Sequence, residues 1–400
     1  MKRRDLKIVF SSNGCFTNSG YGVFSRDILC RMIEDGWNVK HIAWWGLEGY
    51  PVELDLGQFS KRFKGLKLPV YPRMEDVWGG DALVRQSNEV DVSFTMQDIW
   101  TLNPAYLQQV KRWIPYVPID KSPAPNLVTQ RFPYAYRIVT FSQFGHDELA
   151  KAGYASTLIL EGIDTKIFKK QDRNKARAKF KIPHNAFVFG MVAANKENPP
   201  RKGYAEALEA FSIFVKSHPE AKLFIHTQQR SPTGFPIVAY ARHLDIEKHI
   251  IFPDDFLAVY GSDSYVIREE MSAFDVLLHP SQTEGFGLTP VEAMSVGTPV
   301  IVANNTSQPE LIIDGKTGWI CDIGHKRFTA DNSYVEEANV QSLVSKMEEA
   351  YKTLNSKNTI AKDCREHVIN KYNIDTIYKE KWSPFLERIQ KEILPVDKVK

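Results

Sequence analysis

Glu284 and Glu292 bracket the run Glu284-Gly285-Phe286-Gly287-Leu288-Thr289-Pro290-Val291-Glu292, directly after the apolar stretch Val276-Leu277-Leu278. An apolar strand that ends in a glycine-rich turn and continues as the helical pattern Val291-Glu292-Ala293-Met294 gathers backbone N–H groups and the positive helix end at one point. A diphosphate fits there. The spacing puts Glu284 on the loop before the turn and Glu292 in the first turns of the helix, so both carboxylates can accept hydrogen bonds from ligand hydroxyls. Phosphates together with hydroxyls describe a nucleotide-sugar. The two acids also read as a loop carboxylate and a helix-start carboxylate that simply favours the helix dipole.

A second constellation is Asn195-Lys196-Glu197-Asn198-Pro199-Pro200-Arg201-Lys202-Gly203, after the strand-like run 187–192 and before a helical pattern. Ligands gather on such loops, at the carboxyl ends of parallel strands. Arg201 supplies a planar fork and Lys202 a point charge, together suited to neutralising a departing diphosphate, although a basic dipeptide on a loop is commonly just solvated. Thr17-Asn18-Ser19-Gly20-Tyr21-Gly22 links the first strand to the first helix, where glycines let the backbone approach a ligand. It is not G-x-G-x-x-G, and such a turn is often only a tight connection. Asp120, just past the run 114–117, reads by itself as an acid capping the turn before Ser122-Pro123.

Other chemistry is poorly supported. His243 and His249 lack a metal-type i, i+4 relation, and the chain has neither H-E-x-x-H nor D-x-D. Asp254-Asp255 could hold Mg²⁺ but is more ordinary as a turn. Ser11, Ser12 and Ser281 lack a G-x-S-x-G setting for a hydrolase nucleophile. Cys15, Cys30, Cys321 and Cys364 follow no ligand spacing, which disfavours a disulfide framework or a zinc site and suits a reducing compartment.

These groups need two supporting cores. Four hundred residues exceed one typical domain, and strand-like and helix-like segments alternate, which predicts α/β units built on parallel sheets. The first unit is expected over residues 1–180, with strand-like runs at 8–10, 39–43, 92–96, 114–117 and 138–141, and a helix 143–152 capped by Ser142. Charged, turn-rich residues 166–183 read as the linker. The second unit, 181–373, repeats the scheme with runs at 187–192, 223–226, 250–252, 276–279 and 300–302 and a helix near 204–217. From about Val335 the chain reads as helical, ending in a helix over 374–400 with Asn373 and Asp375 as candidate caps.

A net charge of +3 leaves no nucleic-acid footprint, and Lys2-Arg3-Arg4 and Lys61-Arg62-Phe63-Lys64 read as solvated faces. No segment reaches membrane-spanning length, so the chain is expected to be cytoplasmic. Trp44-Trp45 raises peripheral membrane contact as an alternative to a strand end packed on the core or lining a cleft.

The stretch from His279-Pro280-Ser281 through Glu284 and Glu292 to Gly297-Thr298-Pro299-Val300-Ile301 and Pro309-Glu310-Leu311 resembles the signature of family 4 retaining glycosyltransferases. The resemblance implies a GT-B fold: two Rossmann-like domains facing a cleft, with the C-terminal helix crossing back to the N-terminal, acceptor-side domain. It implies that Glu284 holds sugar hydroxyls, that Glu292 holds the ribose, and that Gly285, Phe286, Gly287, Leu288 and Thr289 serve the diphosphate. Arg201 and Lys202 would clamp the phosphates beside Asn195, with Gly20, Tyr21 and Gly22 forming the glycine loop. Asp120 stands where many relatives carry a His that contacts the sugar, and would contact sugar or acceptor. Glu161 departs from a His-Gly-Val-Asp pattern. The implied activity is metal-independent, retaining transfer of a mannose- or glucose-type hexose, without a cofactor, from a GDP- or UDP-sugar to a glycan, lipid-linked or other hydroxyl acceptor. An epimerase, or a nucleotide-sugar-binding protein without catalysis, would keep the same loops.

Overall fold

Strands that are buried on both faces alternate with helices, as parallel sheets covered by helices require, and they assemble into two α/β units. The computed structural model describes residues 4–254, 256, 261–356 and 359–394. Unit 1 comprises residues 1–119, 123–162 and 374–400, and unit 2 comprises 120–122 and 163–373.

Unit 1 carries strands β1 (Lys7–Asn13), β2 (Asn38–Trp45), β3 (Val52–Asp55), β4 (Lys67–Pro72), β5 (Val92–Thr95), β6 (Trp113–Val117), β7 (Val139–Thr140) and β8 (Thr157–Leu158). They form one sheet in the order β3-β4-β2-β1-β5-β6-β7-β8, parallel except for β3 against β4. Helix Gly20–Glu34 starts at Ser19, whose side chain accepts from the Gly22 amide, and helix Gln143–Lys151 starts at Ser142, which accepts from Gly145. The chain end belongs to this unit because its apolar stripe is buried here: the Trp382 ring meets Tyr116 at 5.0 Å and Phe94 at 6.0 Å, and Phe385 also packs on Phe94. Asp375 accepts from Arg31 and Arg62, each at 2.7 Å, so the Lys61–Lys64 cluster is not a bare basic face.

Unit 2 carries β9 (Val188–Val192), β10 (Lys222–His226), β11 (Ile250–Ile251), β12 (Val276–His279), β13 (Val300–Ala303) and β14 (Gly318–Cys321). The order β11-β10-β9-β12-β13-β14 is all parallel, the doubly wound arrangement in which the strand order reverses between β9 and β12. Both sheets are therefore Rossmann-like, as expected.

Two expectations are corrected. Residues 166–183 are not a linker, since the boundary falls at Gly162/Ile163 and this stretch is folded into unit 2. Its helix Arg173–Lys179 plants the buried Arg177 guanidinium among the carbonyls of Ala273, His184 and Ala186 and the Asp275 carboxylate, satisfying donors that would otherwise oppose burial. Nor is the chain helical from Val335. A hairpin, β15 (Ile323–Phe328) and β16 (Tyr334–Ala338), comes first, with Val335 and Ala338 buried, and helix Val340–Ser356 follows.

Candidate functional site

The reversal between β9 and β12 leaves a crevice at the carboxyl ends of those strands, where the loops turn to opposite faces of the sheet. The loop after β9 carries Arg201 and Lys202, and the loop after β12 carries Glu284. Residues more than eighty positions apart in the chain are thereby neighbours. Gly203 explains how closely the two loops meet. It caps helix Tyr204–Ser217 at φ +72°, and a Cβ there would lie 2.1 Å from the Pro280 carbonyl oxygen, so no other residue fits without a shift. The Gln282 amide donates to the Arg201 carbonyl at 2.8 Å, pinning one loop to the other.

Lys202 Nζ donates to Glu284 Oε1, and His279 Nε2 lies 3.1 Å from the same oxygen. Arg201 donates to the Thr283 carbonyl at 2.8 Å and pairs with Glu197 at 3.3 Å. Burial alone would push the Glu284 carboxyl up, but Lys202, His279 and Arg201 together hold it well below the ordinary carboxylate range. Burial lowers Lys202, reinforced by the Arg201 charge and opposed by Glu284. Burial likewise lowers His279, which favours the neutral imidazole. The site thus presents an ionised carboxylate beneath two cationic side chains.

Loop 304–308 supports Glu284 from the other side. The Glu284 amide donates to Thr306 Oγ1 at 3.1 Å, and Ser307 Oγ donates to the Glu284 and Phe286 carbonyls, each at 2.9 Å. Gly287, at φ +103°, caps helix Leu288–Ser295. Leu288, Thr289 and Glu292 lie on that helix, and Glu292 is partly buried. Phe286 is buried and packs edge-on against Tyr372 at 5.7 Å, so its side chain anchors the turn and only its backbone is available to a ligand.

Asn195, expected in the ligand site, is occupied elsewhere. Its buried amide donates to the Phe235 carbonyl at 2.9 Å and accepts from the Phe235 amide at 2.7 Å, bracing loop 228–235. Asp120 is partly exposed, and among the described residues neither a hydrogen bond nor an ion pair joins it to Lys202 or Glu284. Its neighbours are tied down by Lys121 donating to Asp331 at 2.7 Å and by the Tyr334 amide donating to the Ser122 carbonyl at 2.9 Å. Gly20, Tyr21 and Gly22 lie in unit 1, where Gly22 has a packing reason of its own: a Cβ would stand 2.1 Å from Thr17 Oγ1. Glu161 is buried.

Asp254 accepts from the Phe256 amide, as a turn acid does, and Asp255 lies outside the described residues. Among the described residues no cluster of His, Cys, Asp and Glu is placed to hold a metal ion, all four cysteines are free and buried, and no helix is long and apolar enough to cross a membrane. His279, Thr306 and Ser307 had no assigned role in the sequence. The polar run Asn304-Asn305-Thr306-Ser307 directly after an apolar strand was the available signal.

A doubly wound unit with a cationic crevice at its switch point and a second Rossmann-like unit that takes back the chain end are the two parts of a GT-B fold. Over the whole chain this likeness is direct. Sucrose-phosphate synthase from Thermosynechococcus elongatus superposes with a TM-score of 0.72 at 16% identity, covering 96% of this chain and 99% of that one. HepE from Anabaena, solved with UDP and glucose, superposes at 0.70 and 17% identity, covering 96% and 100%. Residues 172–353 match the description "Glycosyl transferases group 1". Among curated relatives, the capsular polysaccharide biosynthesis glycosyltransferase CapM of Staphylococcus aureus is 24% identical over 246 residues, 61% of this chain and 57% of CapM. The chain spans about half the length of the curated relatives it matches.

Proposed function

We propose that the protein is a retaining glycosyltransferase that moves a mannose- or glucose-type hexose from a UDP- or GDP-sugar to a hydroxyl of a glycan or lipid-linked acceptor. The observation that carries this reading is the Arg201, Lys202 and Glu284 cluster at the carboxyl ends of β9 and β12, beside the start of helix Leu288–Ser295. CapM is named for capsular polysaccharide biosynthesis, and HepE has been solved with UDP-glucose, which supports the same substrate class here.

In the proposed reaction the bond between the anomeric carbon and the diphosphate oxygen breaks as the acceptor oxygen bonds to that carbon from the same face. The acceptor proton passes to the leaving phosphate oxygen, so no protein base is required. Arg201, Lys202 and the backbone N–H groups around Gly285 to Thr289 stabilise the charge that grows on the diphosphate, where preorganised donors are most effective. Glu284 accepts from sugar hydroxyls and stabilises the cationic sugar, and Glu292 accepts from the ribose. Asp120 is assigned a contact to sugar or acceptor. The Arg/Lys pair takes the part that a bound metal plays in metal-dependent transferases.

The test is incubation with isotopically labelled UDP-glucose, UDP-N-acetylglucosamine, GDP-mannose and ADP-glucose against a mixture of glycan and polyprenyl-linked acceptors, with the product anomer read by NMR. Transfer with retention is expected, and it should persist in excess EDTA. Donor isomerised without acceptor, or nucleotide bound without any turnover, would replace this reading with an epimerase or a binding protein. Loss of transfer in EDTA, restored by Mn²⁺, would end the metal-free mechanism.

A further inference from the structure

The hairpin β15–β16 forms a small sheet of its own, and one edge of it serves as a template for two loops. In an antiparallel pair the N–H and C=O groups of alternate residues point away from the partner strand. On β16 these residues are Tyr334 and Glu336. The Tyr334 amide donates to the Ser122 carbonyl at 2.9 Å, in an antiparallel bridge, and the Glu336 amide donates to the Gln282 carbonyl at 3.3 Å. The Glu336 carbonyl accepts from Asn305 Nδ2 at 2.9 Å. Two residues along a strand span roughly 7 Å, so the turn 120–122 and the loop that carries Glu284 lie side by side on one strand edge within unit 2.

A second hold on that turn comes from a side chain. Lys121 Nζ donates to Asp331 Oδ2 at 2.7 Å, and the two side chains are 20% and 15% exposed. Asp331 is itself built into the hairpin turn. Its Oδ1 accepts from Thr329 Oγ1 and from Ser333 Oγ, the latter at 2.7 Å, and the Thr329 amide donates to the Ser333 carbonyl at 2.9 Å. Burial would raise this carboxyl, but Lys121, Thr329 and Ser333 hold it at about 2, so it is ionised at neutral pH. The turn requires only an acceptor at Oδ1, which an amide would also supply. The charge and Oδ2 serve Lys121. The hairpin's other ion pair, Lys326 with Glu336, joins β15 to β16 from a lysine that is 59% exposed, and it leaves residues 120–122 untouched.

We propose that Asp331 is a positioning residue for sugar transfer, which through Lys121 holds the turn 120–122, and with it the Asp120 carboxylate, beside the Glu284 loop. Among the described residues the Asp120 side chain has no hydrogen bond or ion pair of its own, so its place is set by the backbone on which it stands. That backbone is fixed by the Ser122 bridge and the Lys121 pair, both made to the hairpin. The inference rests on the glycosyltransferase reading and on the contact assigned there to Asp120, and it adds a residue from a hairpin that supplies none of the groups ascribed to donor binding.

The test is transfer kinetics of the full-length chain, with the donor and acceptor that the incubation above selects, and thermal stabilisation by UDP and GDP on the same preparations. Asp331→Asn and Lys121→Met should each lower kcat roughly tenfold or more, since a small misplacement at a reacting centre is costly, while nucleotide stabilisation is unchanged. Lys121→Arg should recover most of the rate, and Lys326→Met should leave it at the wild-type value. In an Asp120→Asn background, itself slow, Asp331→Asn should cost no more than about twofold further, because the carboxylate that it positions is gone. An equal loss from Asp331→Asn in both backgrounds would overturn the inference, as would a wild-type kcat in Asp331→Asn or in Asp120→Asn. Loss of nucleotide stabilisation in both Asp331→Asn and Lys121→Met would also overturn it, by making the pair a support of the whole unit. A wild-type chain that binds nucleotide and transfers nothing would bring down the glycosyltransferase reading itself, before any variant is compared.

Discussion

Lys202 and Glu284 form an ion pair at the point where the strand order of unit 2 reverses, with side chains 19% and 10% exposed. A pair this enclosed is sensitive to the loss of one partner, because the remaining charge is left partly desolvated. Glu284→Gln and Lys202→Met should each destabilise the protein by about 2–3 kcal/mol, and the double variant by less than their sum. Urea unfolding of the four proteins measures this. Strict additivity would mean that the two residues do not interact in solution.

Glu284→Gln should also lower turnover while nucleoside diphosphate still binds, whereas Glu292→Ala should weaken nucleotide binding itself. The expected loss for Glu292→Ala is about 1–3 kcal/mol, the cost of a charged hydrogen bond left unmade. Titration calorimetry with UDP and GDP decides it. Equal nucleotide affinity in wild type and Glu292→Ala would remove the ribose from that carboxylate.

Gly203→Ala is predicted to be far more harmful than Gly153→Ala, although both glycines have positive φ, at +72° and +85°. A Cβ on Gly153 meets nothing within 4 Å, so only the left-handed backbone penalty of roughly 1–2 kcal/mol applies. A Cβ on Gly203 strikes the Pro280 carbonyl and must displace the loop that carries Arg201 and Lys202. Comparing melting temperature and transfer rate for both variants checks this. A similar loss at the two sites would show that the β9 and β12 loops do not pack this tightly.

Stability should fall on mild acidification, partly through His41. Burial lowers this imidazole to about 4, against weaker support from the Phe10 carbonyl, whose oxygen is 2.8 Å from Nδ1. The folded pKa lies below the unfolded one, so the unfolded chain takes up the proton first. The contribution is complete above about pH 6.5 and is lost as pH falls from there toward 4, by at most about 3 kcal/mol. Urea unfolding at pH 7.5 and pH 5 should show the drop, and His41→Asn should reduce its size. An unchanged pH dependence in the variant would place the effect elsewhere, with His279 the next candidate because burial lowers it too.

Local chemistry was legible wherever it is written in adjacent residues. The strand, turn and helix around Glu284 to Glu292 follow from an apolar run, a glycine at φ +103° and a helical repeat, and Ser142 was recognisable as a cap from its position before the helix. Helix Tyr204–Ser217 was legible from its periodicity for the same reason. Long-range satisfaction was not. Residues 166–183 look like a linker because they are charged, and only the fold reveals that the Arg177 head is buried against the Ala273 carbonyl and the Asp275 carboxylate, which lie far along the chain. Asn195 stands in a loop that suits a ligand, yet its amide is taken by Phe235, forty residues away. The pairing of Lys202 with Glu284 depends on β9 and β12 lying side by side, an outcome of parallel winding that no spacing in the sequence encodes. Residue types and short-range periods therefore determined the elements and the kinds of chemistry. Which charges neutralise one another, and which polar atoms remain for a ligand, was decided only when burial forced each group to find a partner across the sheet.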